Sequence, residues 1–109
     1  MDKVQLGRNE ALFREVNEAI AATADGLHSD EADFVCECGD PACTQRITAP
    51  LDDYERVRED PTRFILEPGH DEPRIERVVR ETKDYAVVEK FERTVVGIVR
   101  GLNRRPETA

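Results

Sequence analysis

Apolar residues recur along the chain with two different periods. Between residues 9 and 24, Leu12, Phe13, Val16, Ile20 and Ala24 fall on one stripe at helical spacing. Asn9 suits the capping position, and Glu10, Arg14, Glu15 and Glu18 occupy the opposite side. The pattern predicts a helix over 9–24 whose apolar stripe, from Leu12 to Ala24, enters the core. Residues 25–33, with Glu37 just beyond, supply five acids (Asp25, Asp30, Glu31, Asp33 and Glu37) and no Lys or Arg, and are read as a solvated loop.

Phe34-Val35-Cys36 reads as a strand going into a tight loop, and Gln45-Arg46-Ile47-Thr48 as the strand coming out of it. Pro50 suits a first helical turn, with Asp52 and Asp53 at the positive end of the helix dipole. Leu51, Tyr54 and Val57 would face inward, and Pro61 stops this short helix. Residues 62–66 are a strand. Residues 74–91 fit two readings. Ile75, Val78, Val79 and Thr82 match a helix, but adjacent β-branched residues and the run Tyr85–Phe91 favour a β-hairpin turning at Lys83-Asp84. The hairpin is adopted. The expected fold is α+β: an N-terminal helix, a metal-tipped β-hairpin, a short helix, then a small antiparallel sheet. It forms one domain over 1–91. Residues 92–109 carry four Arg against two Glu and are expected as a basic extension, with an edge strand or partner contact over 94–99 and disorder beyond Leu102.

Composition narrows the chemistry. The 109 residues suffice for one domain and no second core. Charged residues make up 37% and the net charge is -8, so generic phosphate-backbone binding is disfavoured. Nucleic acid remains a partner only through the Arg-bearing tail. No apolar run approaches the roughly 18 residues that span a bilayer. The opening Met1-Asp2-Lys3-Val4-Gln5 lacks the layout of a signal peptide. A soluble, cytoplasmic chain without membrane contact is therefore expected.

The three cysteines, Cys36, Cys38 and Cys43, lie within eight residues. An odd count without an export signal argues against a disulfide framework, and Cys36 and Cys38 are too close to bridge. Three clustered thiolates suit zinc, or less often an iron–sulfur cluster or copper(I). Gly39 and Asp40-Pro41 reverse the chain so that Cys43 can face the other two. A tetrahedral ion needs a fourth ligand. His70, after the Pro68-Gly69 turn, is favoured; His28 is the second choice, with Asp40 or Asp71 behind it. Four protein ligands leave no open position, so such a zinc stabilises the fold and does not hydrolyse.

Reaction-bearing motifs are missing. The chain has no Gly-rich phosphate loop, no nucleophile elbow and no H-E-x-x-H. With one serine, Ser29, and two histidines, a triad would have to come from the acidic loop. The expectation is a non-catalytic, zinc-stabilised module that binds another protein, with a thiol-based redox or metal sensor as the alternative.

The stretches Phe34-Val35-Cys36-Glu37-Cys38-Gly39-Asp40-Pro41-Ala42-Cys43, Leu51-x-x-Tyr54-Glu55-x-Val57-Arg58, Asp60-Pro61-Thr62-Arg63-Phe64 and Pro68-Gly69-His70 stand in this order. With the opening Arg8–Asn17 segment, they resemble a family of small uncharacterised proteins from high-GC Gram-positive bacteria. The resemblance covers residues 8–91. It implies that the three cysteines work with the Pro-Gly-His element, and it implies no reaction or substrate.

Overall fold

The computed structural model describes residues 1–106. Its elements run α1 (Lys3–Gly26), β1 (Glu31–Val35), β2 (Arg46–Pro50), α2 (Leu51–Arg58), β3 (Arg63–Leu66), β4 (Glu76–Glu81), β5 (Ala86–Lys90) and α3 (Arg93–Gly101). β1 and β2 form an antiparallel hairpin, with Phe34 opposite Ile47. The other three strands form an antiparallel sheet in the order β3-β5-β4. The α+β class, the hairpin, the short helix and the final sheet all follow the sequence pattern. Residues 74–91 adopt the hairpin alternative.

The helix α1 begins earlier than its apolar stripe suggests. Asp2 is the N-cap, accepting a 2.8 Å bond from the Gln5 amide, which leaves Asn9 nearly two turns inside. The helix ends in a Schellman motif: Ser29 N–H bonds Ala24 O and His28 N–H bonds Asp25 O, with His28 at φ 56° where glycine usually stands. Its buried face matches the expected stripe only in part: Ala24 is buried and Phe13 and Ile20 are half-buried, but the rest of the stripe faces solvent. Leu12 is 55% exposed and Val16 42%, whereas Leu6, Glu10, Ala11, Arg14, Asn17, Ala21 and Ala24 are buried. Burial follows the partners available: the polar side chains on that face meet backbone and charged groups of β1, β5, the turn before β3 and the 93–101 helix, which Leu12 and Val16 could not satisfy.

Arg14 donates to Pro61 O at 2.8 Å and to Val99 O at 2.7 Å. Asn17 grips the β1 backbone twice, accepting from Val35 N–H and donating to Val35 O. Lys90, from β5, bonds both Glu10 and Glu76 with all three side chains out of solvent. Its ammonium and the Arg14 guanidinium each lie 4.7 Å from the Phe64 ring centre. Around this polar centre pack Phe34, stacked on Tyr54 at 4.5 Å, together with Ile47, Ile65, Leu66, Ile75 and Val88.

The segment 94–99 is helical, not an edge strand. Glu92 caps α3 through the Val95 amide, and Val95 and Val99, four residues apart, are fully buried. The core therefore continues past residue 91. Just beyond α3, Arg104 pairs with Glu15 and Arg105 with Glu18 and Glu55. The disorder expected beyond Leu102 also covers residues 107–109, which lie outside the described residues.

Candidate metal centre

The turn after β1 is built by its own side chains. Asp40 O accepts from Cys43 N–H at 3.0 Å and Asp40 Oδ1 from Ala42 N–H at 2.9 Å, closing a turn with Pro41 at its second position. Gly39 sits at φ 80°, and a Cβ there would stand 2.7 Å from the Leu6 side chain and 2.8 Å from that of Glu10. Only glycine lets the loop lie this close on α1. Asn9, expected to cap the helix, instead donates to Gly39 O at 3.0 Å.

The fourth residue arrives by a separate route. After β3, Glu67-Pro68-Gly69-His70 makes a turn in which His70 N–H bonds Glu67 O at 3.0 Å and Gly69 takes φ 88°, the arrangement of a type II turn. The turn is tied to the cysteines before it reaches them. Glu67 N–H donates to Cys36 Sγ at 3.2 Å.

The position of that turn is set by Glu37, the residue between two of the cysteines. Its backbone N–H bonds Ile65 O at 2.9 Å, and its carboxylate accepts from Ile65 N–H at 2.9 Å and from Asn17 Nδ2 at 2.8 Å. Glu37 thus locks the cysteine loop to β3 and to α1 at once. It is fully buried, so the solvated-loop reading does not extend to it, although Asp25, Asp30, Glu31 and Asp33 are exposed. Burial pushes its carboxyl up to about 7 despite those bonds. A buried acid between two ligands was not legible as a site residue. The signal lay in Asn17 and Arg14, polar groups on the helix face opposite the apolar stripe.

The donor atoms of Cys36, Cys38, Cys43 and His70 all lie within 4.8 Å of one another. Cys36 Sγ and Cys43 Sγ are each 3.6 Å from His70 Nδ1. With zinc–sulfur near 2.3 Å and zinc–nitrogen near 2.0–2.1 Å, a tetrahedral site has a sulfur–nitrogen edge of about 3.6 Å, so the residues present fit that ion. Each sulfur also faces a backbone amide: Glu67 toward Cys36, Asp40 toward Cys38 and Gln45 toward Cys43. Such N–H groups favour thiolate and orient the donors. The neighbouring Cys38 thiol, followed by burial, pushes the Cys36 thiol up, and Cys36 in turn holds the Cys38 thiol down at about 5.

The cluster places His70, not His28, beside the cysteines. His28 forms the reversal after α1 and lines a groove with Asp25, Asp30 and Asp52. Asp40 serves its own turn and Asp71 stands outside the group. Cys36 and Cys38 are buried, Cys43 is half-buried and His70 is exposed, so one side of the site borders solvent.

Comparison of the chain with protein-family models, curated proteins and solved structures gave no significant match. The functional reading therefore rests on this geometry.

Proposed function

We propose that the protein is a non-catalytic binding module whose fold is stabilised by one structural zinc ion, held by Cys36, Cys38, Cys43 and His70. The carrying observation is the donor set itself, four donor atoms within 4.8 Å of one another, with Cys36 Sγ and Cys43 Sγ each 3.6 Å from His70 Nδ1. A sphere closed by four protein atoms has no position for water or substrate. The ion would join the β1–β2 hairpin to the end of β3, two parts of the chain 27 or more residues apart. Binding would then contribute directly to folding.

A partner protein is the reading favoured for the exposed surface. Leu12 and Val16 stand one helical turn apart on the solvent side of α1. Arg104 and Arg105, the residues a nucleic acid would use, are engaged with Glu15, Glu18 and Glu55. Among the described residues no helix is long and apolar enough to cross a membrane. A cytoplasmic location belongs to the same proposal, since reduced thiols favour metal loading. So does membership of the high-GC Gram-positive family, two of whose motifs, the cysteine stretch and Pro68-Gly69-His70, supply the four donors.

Elemental analysis of protein purified without added metal tests the reading. One zinc per chain is expected. His70→Ala should weaken retention against a chelator by tenfold or more, and His28→Ala should not change it. Less than half an equivalent of zinc, with melting unchanged by chelator, would refute the proposal.

A second reading, a thiol-based redox or metal sensor, is favoured by the half-buried Cys43 and the exposed His70 on one side of the cluster. Peroxide separates the two. A sensor loses zinc at low oxidant dose and recovers on reduction, whereas a structural site resists.

A further inference from the structure

We propose a second site: a compact phosphate-type oxyanion binds in the groove between α2 and the β4–β5 hairpin, with Arg80 as its principal contact. The inference begins with a register shift. In a regular strand Arg77 and Arg80 would point to opposite faces of the sheet, three residues apart. Between Val78 and Arg80 the ladder is irregular, so that Arg77 stands opposite Glu89 and Arg80 opposite Val87. Val87 and Glu89 are two apart on β5 and share a face. The bulge therefore brings Arg80 to the face that already carries Arg77 and, across Glu89, Arg63 from β3. α2 adds Arg56 at the edge of the same groove.

The groove has a volume of about 200 Å³. Val57, Val79 and Val87 line it with Tyr85, and three arginines (Arg56, Arg63 and Arg80) stand against one acid, Asp53. That acid is already occupied: its Oδ2 accepts from the Tyr85 hydroxyl at 2.8 Å and its Oδ1 from Arg56 at 3.4 Å. Arg63 is shared with Glu89 at 3.1 Å and Asp60 at 3.7 Å, and Arg77 reaches Glu89 at 3.3 Å. Arg80 makes no hydrogen bond or ion pair among the described residues. A guanidinium fork is thus turned, by an irregularity in the strand, into a locally positive hollow on a chain whose net charge is -8.

Size and charge select the ligand. The hollow holds one tetrahedral oxyanion and a few attached carbons, which the valine floor would cover. An extended polyanion would be repelled by a chain whose net charge is -8, so the contact is with a single anionic group. A phosphorylated small molecule and a phosphorylated side chain present the same chemistry here.

Titration of the zinc-loaded protein with inorganic phosphate and with phenyl phosphate, at low salt, followed by amide and arginine Nε resonances, tests the proposal. Saturable shifts at Val79, Arg80, Tyr85 and the Arg56 Nε are expected in the millimolar range, tighter for phenyl phosphate. Arg80→Ala should weaken binding at least tenfold and leave the melting temperature unchanged, because that side chain is exposed and unpartnered. A phosphoserine peptide that binds more tightly than phenyl phosphate would identify a partner's side chain as the source, and the reverse order a small molecule. Shifts that grow linearly and spread over the surface, or equal binding by Arg80→Ala, would overturn the proposal. Neither result touches the zinc reading, since phosphate binding is read on a different face.

Discussion

Two polar clusters of this fold are assembled in opposite ways. One is the Cys36–Cys38–Cys43–His70 cluster at the edge of the fold. The other is the dry group of Glu10, Glu76 and Lys90, with Arg14 and Phe64 beside it. The first consists mainly of neighbours in sequence: three of its four donors come from eight residues. The second draws single residues from α1, β4 and β5, up to 80 positions apart. Local spacing can be seen in a sequence; partners that far apart cannot. The energetic logic also differs. A metal site contributes its binding free energy to folding. A buried ion group offsets its own desolvation, and is far more costly to break than it is useful to have.

The largest effect should come from the metal centre. Cys38→Ser removes a donor and should abolish zinc retention, with a loss of stability on the order of 10 kcal/mol if zinc supplies what it supplies to finger-like sites. Circular dichroism and metal content on the same sample measure it. Ser29→Ala is the control. Its hydroxyl makes an exposed bond to Glu31 O, and its removal should cost less than about 0.5 kcal/mol. Equal melting of Cys38→Ser and parent would make the ion group the only true polar centre.

Next comes the ion group itself. Lys90→Ala leaves two carboxyls facing each other without a cation and should cost roughly 3–5 kcal/mol in denaturant unfolding. A cost under about 1 kcal/mol would show that Glu10 and Glu76 find another arrangement.

How much of each centre could be read in advance follows from the same contrast. Cys36, Cys38 and Cys43 were legible because cysteine is scarce and Gly39-Asp40-Pro41 announces the reversal. His70 was legible because Pro68-Gly69 forms a turn of one recognisable type. The β-hairpin over 74–91 was legible from Val78-Val79 and the Tyr85–Phe91 run. Glu37 was not, because its burial depends on Asn17 and Ile65, neither of which is near it in sequence. The helix face was legible only in part, at Phe13, Ile20 and Ala24, for a similar reason. Two stripes compete on α1, and the apolar one, with Leu12 and Val16, lost to Glu10, Arg14 and Asn17 because backbone and charged partners await the polar stripe. In α3, Val95, Val96, Ile98 and Val99 argued for a strand by residue type, while the four-residue interval between Val95 and Val99 already had helical period.

The proton content of the ion group gives a smaller effect with a definite sign. Burial, followed by the repulsion of Glu76 against the pull of Lys90, leaves the Glu10 carboxyl raised from 4.5 to about 8. Between those two values the folded chain holds a proton that the unfolded chain has released. Stability contributed by this group is therefore full below about pH 4.5 and falls as pH rises toward 8. Glu10→Gln mimics the protonated form. Relative to the parent it should be near neutral at pH 5 and gain steadily up to pH 8, by on the order of 3 kcal/mol at most. Chemical denaturation at several pH values measures the difference. A gap that stays flat, or that closes as pH rises, would mean that Glu10 is ionised throughout and fully neutralised by Lys90.

The smallest effect separates the two stripes of α1. If the polar stripe is the buried one, Leu12→Glu changes only solvent-facing surface, since that side chain is 55% exposed. The expected change in unfolding free energy is within about 0.5 kcal/mol. Leu6→Ala, on the same helix but 7% exposed and packed against Gly39, should cost about 2–5 kcal/mol. The pair works as an internal control, because both positions hold leucine in one helix and only the direction of the side chain differs. Were Leu12→Glu as damaging as Leu6→Ala, the apolar stripe would be the true inner face. Glu10, Arg14 and Asn17 would then lie outside, and the lock that Asn17 and Glu37 place on the cysteine loop would come apart with it.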